Sequence, residues 1–152
     1  MTSPYQAFET HPRIEYRHFL LTDDSGYVEP PRGWAEDPRI AIPGRVGLIL
    51  CSAGNDFFPL VRAELRDSAP TASAEAWDVV EETGLACEDT ALGVREWDGG
   101  PSGSPLTLPA AGRYRVRIHC RGRGEAHARI GKKLFYEGVE EWLLQIWPDS
   151  DA

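Results

Sequence analysis

From Arg113 to Arg123 the chain alternates with a period of two. Tyr114, Val116, Ile118 and Cys120 fall on one side of an extended backbone, and Arg113, Arg115, Arg117, His119 and Arg121 fall on the other. Successive strand side chains point to opposite faces, so the pattern predicts a strand with a buried face and a wet face that carries a ladder of cations. Similar reading extends along the chain. Arg13 to Leu21 predicts a strand with Ile14, Tyr16, His18 and Leu20 on one face. Val46 to Ser52 is nearly all apolar, as in a central strand covered on both sides. Phe57 to Asp67 sets Leu60, Arg62 and Glu64 against Val61, Ala63 and Leu65. Trp77–Glu82, Leu85–Cys87, Ala91–Trp97 and Leu106–Leu108 add short extended pieces. In the last strand, Val139 to Trp147, both faces carry large apolar groups: Trp142, Leu144 and Ile146 on one, Leu143 and Trp147 on the other. That favours a central strand, covered twice, over one that leaves a face for a partner.

The breaks between these pieces have their own chemistry. Asp23-Asp24-Ser25-Gly26, Ala53 to Asp56 and Thr83-Gly84 are turn signals. Pro30, Pro31, Pro38 and Pro43 make residues 29–45 a long loop with Trp34 as its anchor, because proline fixes φ and removes a donor. Residues 98–105, with three glycines, read as flexible. A short helix within Glu125–Phe135 is the most helix the sequence allows, and Gly131 weakens it. The sum is a mainly β fold: a two-sheet antiparallel β-sandwich, of jelly-roll or immunoglobulin-like topology, with at most one short helix. Residues 1–12 are expected to be an irregular N-terminal arm and 13–148 a single domain. Its core should hold Tyr114, Val116, Ile118, Leu48, Leu50 and Trp142.

Composition narrows the setting. No apolar run approaches the roughly 18 residues of a membrane span, and Met1 to Pro12 has neither the basic start nor the apolar centre of a signal peptide. Three cysteines (Cys51, Cys87, Cys120) at long spacings fit reduced thiols and a cytoplasmic location. Charge is uneven in a chain of net charge −8. Residues 64–100 hold ten acids and two bases, whereas residues 113–133 hold eight bases and one acid. These blocks either pair across neighbouring strands or form separate surfaces that steer partners. Like charges two residues apart lie about 7 Å from one another along a strand, so the ladder of Arg113, Arg115, Arg117 and Arg121 calls for neutralisation, and pairing within the fold is favoured.

Candidate chemistry is thin. His119 and Cys120 are adjacent in a strand and point apart, so they do not share a metal ion, and no Cys-x-x-Cys or His-Glu-x-x-His occurs. A buried Cys120 thiol beside an exposed His119 imidazole is the better reading. No Gly-x-Ser-x-Gly elbow is present, and Cys51 lies in an apolar strand where burial blunts a thiolate. Gly122 and Gly124 alternate with Arg121 and Arg123 without P-loop spacing. The acidic balance, with sequence pI near 5.0, argues against nucleic acid as a partner. Neither a metal nor a cofactor is expected, nor is catalysis.

Two stretches resemble the competence protein J family of DNA-entry nuclease inhibitors. Ile14-Glu-Tyr-Arg-His-Phe-Leu-Leu21 is similar to that family's first strand, and Leu106-Thr-Leu-Pro-Ala-Ala-Gly-Arg-Tyr-Arg-Val116 to its later apolar strand running through Pro and Gly into a Tyr-centred strand. The closing strand, Glu141 to Trp147, has a similar place. The resemblance covers the two ends of the chain and carries over no functional residue. It implies a small protein that binds and silences a nuclease or toxin. The expected function is therefore a non-catalytic, immunity-type inhibitor. Its acidic block, through Glu81, Glu82, Glu88 and Asp89 with Trp97, would meet a basic protein such as a nuclease or toxin. The Arg113, Arg115, Arg117 and Arg121 strip is the alternative contact for an anion or an acidic partner. A carbohydrate- or small-molecule-binding sandwich using Trp34, Trp97 or Trp147 is the second reading.

Overall fold

A computed structural model describes residues 4–150. Ten strands form two stacked five-stranded sheets. In chain order they are β1 (Gln6–Thr10), β2 (His18–Thr22), β3 (Ala41–Pro43), β4 (Leu48–Cys51), β5 (Phe58–Leu65), β6 (Val79–Cys87), β7 (Ala91–Arg95), β8 (Pro101–Thr107), β9 (Gly112–Arg121) and β10 (Glu137–Pro148), with a 3-10 turn at Trp34–Glu36 between β2 and β3 and an α-helix, α1 (Arg123–Ala128), before β10. The first sheet has the order β1-β5-β10-β9-β6 and the second β3-β4-β2-β7-β8. The mainly β two-sheet sandwich predicted from the pattern is the fold. One pairing departs from the antiparallel rule: β5 and β10 run parallel.

The core follows the alternation. Val116, Ile118, Cys120, Trp142, Leu144 and Ile146 from the first sheet meet Phe19, Leu21, Leu48, Leu50, Leu92 and Val94 from the second. All six residues expected in the core are buried. Trp142 packs edge-on against Phe19 at 5.1 Å and so ties the sheets together. Leu48 and Leu50 face this core, while Ile49 joins Leu20, Val28 and Ile42 in a second cluster under the 29–45 loop, where Trp34 packs. The doubly covered β4 and the anchoring Trp34 are thus as expected. Val116 is fully buried, and Val116→Ala is expected to lower unfolding free energy by about 1–3 kcal/mol in a denaturant titration.

Five local expectations are corrected. Of the expected irregular arm over 1–12, residues 1–3 lie outside the described residues, and Gln6–Thr10 is not irregular but pairs with β5 as an edge strand. The strand expected over 13–21 breaks at Tyr16 and Arg17, whose φ values of 53° and 61° reverse the chain, so β2 starts at His18. Thr83-Gly84 does not turn; β6 runs unbroken through it, paired with β9. Residues 98–105 are largely β8, an edge strand that tolerates Pro101 and Pro105 because its outer side needs no donors. The short helix is present and stops before Gly131 as expected, but it starts at Arg123, ahead of the Glu125–Phe135 window.

Side chains close both sides of the sandwich. Gln6 accepts from Thr107 N and donates to Thr107 O, each at 2.7 Å, linking the β1 and β8 edges. On the other side the Glu81 carboxylate accepts from Ile40 N at 3.0 Å and Ala41 N at 3.1 Å, joining β6 to the β3 edge. At one end Asp23, fully buried, accepts from Ser25 N, Glu88 N and Asp89 N. Burial works to raise its pKa, but the hydrogen bonds from Ser25, Glu88 and Asp89 outweigh it, and the net shift is downward. A carboxylate with a depressed folded-state pKa stabilises above its ordinary value and loses that contribution as pH falls through the folded one. The melting-temperature gap between wild type and Asp23→Asn should therefore shrink as pH is lowered from roughly 5 to 3.

Candidate functional site

The acids expected to form one partner-binding surface do not do so. Glu81 is spent between the sheets, on Ile40 N and Ala41 N. Glu82 lies on the outer face of the first sheet against Arg115 and Arg117. Glu88 and Asp89 form the β6–β7 turn, where Glu88 pairs with Arg45 and Asp89 accepts from Asp24 N and Ala91 N. Trp97 follows the far end of β7, a five-residue strand, so about 17 Å of extended chain separates it from them.

The arginine ladder is mostly neutralised inside the fold. β6 and β9 pair antiparallel with Glu82 opposite Arg117, so the acidic and basic blocks face each other. Glu82 takes Arg115 at 3.1 Å and Arg117 at 3.2 Å. Arg121 takes Glu141 at 2.8 Å and Glu75 at 3.1 Å. Arg113, exposed at the start of β9, makes no ion pair among the described residues. The ladder's face is also drier than its pattern suggests. Residues 66–78 cross over it, and His119, Leu143, Gln145 and Trp147 are buried there. The reading of His119 as exposed is corrected: its ring lies 5.2 Å from that of Trp77.

The loops at the start of β2, β5 and β10 and the end of β7 build a different surface. Tyr16, Trp97, Leu134 and Phe135 are 68%, 39%, 55% and 56% exposed. They are held together from beneath. Tyr16 meets Trp97 edge-on at 4.8 Å. Arg13 donates through its backbone N–H to Glu96 at 2.6 Å and places its guanidinium 5.1 Å from the Phe135 ring. Phe135 N donates to Asp56 O at 2.7 Å, and Asp56 N to Ile14 O at 2.9 Å. Arg17 donates to Ala53 O at 3.2 Å and to His127 Nδ1 at 3.3 Å. Four residues here, Tyr16, Arg17, Asp56 and Phe135, have φ between 53° and 61° without being glycine. Each such residue costs about 1 kcal/mol or more, and such strain collects at functional sites.

A buried carboxylate supports this end. Glu140, fully buried, accepts from Ser52 Oγ at 2.7 Å, Ala53 N at 2.9 Å and Trp142 Nε1 at 2.8 Å, with Arg123 Nη1 at 3.8 Å. It ties the 52–56 loop and α1 to the core. Gly122 makes the approach of α1 possible: its φ is 80°, and a Cβ there would lie 1.8 Å from Val139 O. Sequence reading singled out Trp97 and missed Tyr16, Leu134 and Phe135. The available signal was Leu134-Phe135 after Lys132-Lys133, an apolar pair outside any strand period.

The thiols are poor nucleophiles. Burial pushes Cys51 up to about 11 and Cys87 up to about 12, and it raises Cys120 as well. No group of three or more metal-ligating side chains occurs among the described residues. Of the tryptophans in the second reading, Trp147 is 7% exposed beneath Arg117 and Trp34 is half-buried, edge-on to His18. Neither offers an open platform for a sugar.

No protein-family model matches this sequence. No curated protein matches it either. Solved structures do match over nearly the whole chain. The crystal structure of ComJ, inhibitor of the DNA degrading activity of NucA, from Bacillus subtilis, aligns with TM-score 0.62 at 10% identity, covering 98% of this chain and 99% of that one. The solved structure of crocagin biosynthetic gene J aligns with TM-score 0.54 at 19% identity, covering 94% of this chain and 96% of that one. The resemblance seen in the two end segments is thus matched by a shared fold.

Proposed function

We propose that this protein is a non-catalytic, immunity-type inhibitor that binds a nuclease or toxin through the aromatic end of its sandwich. The observation that carries the reading is the exposed group Tyr16, Trp97, Leu134 and Phe135, of which Tyr16 and Phe135 sit on left-handed backbone. Scattered surface apolar residues need no explanation, but three rings and a branched chain grouped on strained loops do. A partner that buries them supplies one, since Trp, Tyr and Arg anchor most protein interfaces. The fold shared with an inhibitor of a DNA-degrading activity supports the same class. A net charge of −8 draws a basic partner at long range, with Glu88 among the exposed acids that contribute. The free thiols suit a reducing compartment such as the cytoplasm. The test is co-purification with the products of neighbouring genes, followed by nuclease assay of what is captured. Stoichiometric inhibition, with an association rate that falls as salt is raised, is the expected result. A captured partner whose activity is unchanged at saturation would overturn the reading.

A further inference from the structure

A second site lies on the outer face of the first sheet, away from the aromatic end. Residues 66–78 leave β5, cross that face and enter β6. Arg117 Nη1 donates to Pro70 O at 2.9 Å, and Trp77 Nε1 donates to Ser73 Oγ at 3.1 Å, fixing the crossing chain. Beneath it is an open cleft of about 460 Å3, walled by Pro70, Ser73, Trp77, Val80, Arg117 and His119. That volume is in the range of small-molecule pockets. Val80 presents a 52% exposed aliphatic side chain to it.

His119 sets the polarity. Its Nδ1 lies 3.1 Å from Leu143 O. A carbonyl only accepts, so Nδ1 carries the proton, and Nε2 of the neutral ring is left as an acceptor. Burial, and then the charge of Arg117, lower its pKa against the pull of the Leu143 hydrogen bond, which keeps the ring neutral. The residue is 2% exposed, and Nε2 takes no hydrogen bond among the described residues. Charges around the cleft are already matched: Arg117 with Glu82, and Glu75 with Arg121. What remains is the Trp77 wall, one side of which the Arg121 guanidinium covers at 4.3 Å, the aliphatic Val80 wall and the His119 acceptor.

We propose that this cleft binds a small, uncharged aromatic molecule whose hydroxyl or N–H donates to His119 Nε2 while its ring packs between Trp77 and Val80. Nothing in this depends on the inhibitor reading. The probes are phenol and anisole, which share a ring but differ in the donor, titrated into the whole protein at neutral pH. NMR of the His119 imidazole and the Trp77 indole N–H reports binding. Phenol should saturate and shift both signals, and anisole should bind about three- to tenfold more weakly, as one hydrogen bond is lost. Val80→Arg, an exposed change at the wall, should weaken phenol at least tenfold while the melting temperature holds. Equal binding of phenol and anisole, unmoved His119 signals, or phenol binding indifferent to Val80→Arg would each overturn the assignment.

Discussion

Glu140→Ala is expected to destabilise the fold by about 3–5 kcal/mol. The carboxylate is fully buried and meets three donors: Ser52 Oγ, Ala53 N and Trp142 Nε1. Removing it leaves those donors buried and unpaired and withdraws the acceptor facing Arg123. The penalty for a buried unsatisfied donor is about 1–3 kcal/mol, more than the net gain from making one hydrogen bond. A protein of this size should lose about 10 °C or more in melting temperature. Glu140→Gln keeps one carbonyl oxygen for Ser52 and Trp142 but turns an amide toward Ala53 N, so it should cost about 1–3 kcal/mol. Denaturant titrations of both variants rank them: alanine well below glutamine, glutamine below wild type. Equal stability of the two variants would mean that the cluster is held by packing and not by the carboxylate.

The sandwich was legible because its strands obey one rule over long stretches. Tyr114, Val116, Ile118 and Cys120 alternate without interruption, and the twofold apolar pattern of 142–147 announced a central strand, which β10 is. Glycine and proline misled where tertiary context overrode their usual meaning. Gly84 sits mid-strand in β6 because β9 pairs along its whole length, and Pro101 and Pro105 are accepted in β8 because that strand is an edge. Glu140 could be placed on an inward face by period alone, yet its partners Ser52 and Ala53 lie far away in the sequence. The charge blocks were read well as mutual partners and poorly as a docking surface. A run of acids in sequence becomes a surface only if the fold leaves it unpaired, and Glu81 and Glu82 are paired. The aromatic end was illegible for the converse reason: four loops supply its residues, and local patterns do not say which loops meet.

Replacing the rings of that end should separate binding from folding. Trp97→Ala and Phe135→Ala remove side chains that are 39% and 56% exposed, so each should change stability by less than about 1 kcal/mol. If these rings anchor the captured nuclease or toxin, each loss should weaken affinity by about 2 kcal/mol or more, roughly 30-fold. Tyr16 touches Trp97 at 4.8 Å, so Tyr16→Ala combined with Trp97→Ala should cost a different amount from the sum of the two single changes, since residues in contact do not add. Phe135→Gly sharpens the case. With φ at 57°, glycine relieves left-handed strain of about 1 kcal/mol, which offsets the extra chain entropy it brings to the unfolded state. The folded protein should be as stable as wild type while binding falls as it does for Phe135→Ala. Glu88→Ala, at the opposite end of β7, is the control, because it removes an exposed acid without touching the rings. It should slow association modestly at low salt and leave dissociation unchanged, as expected of a charge that steers but does not dock. Calorimetric affinities beside thermal melts decide the matter: loss of binding with Glu88→Ala but not with Trp97→Ala or Phe135→Ala would move the interface from the aromatic loops to the acidic turn.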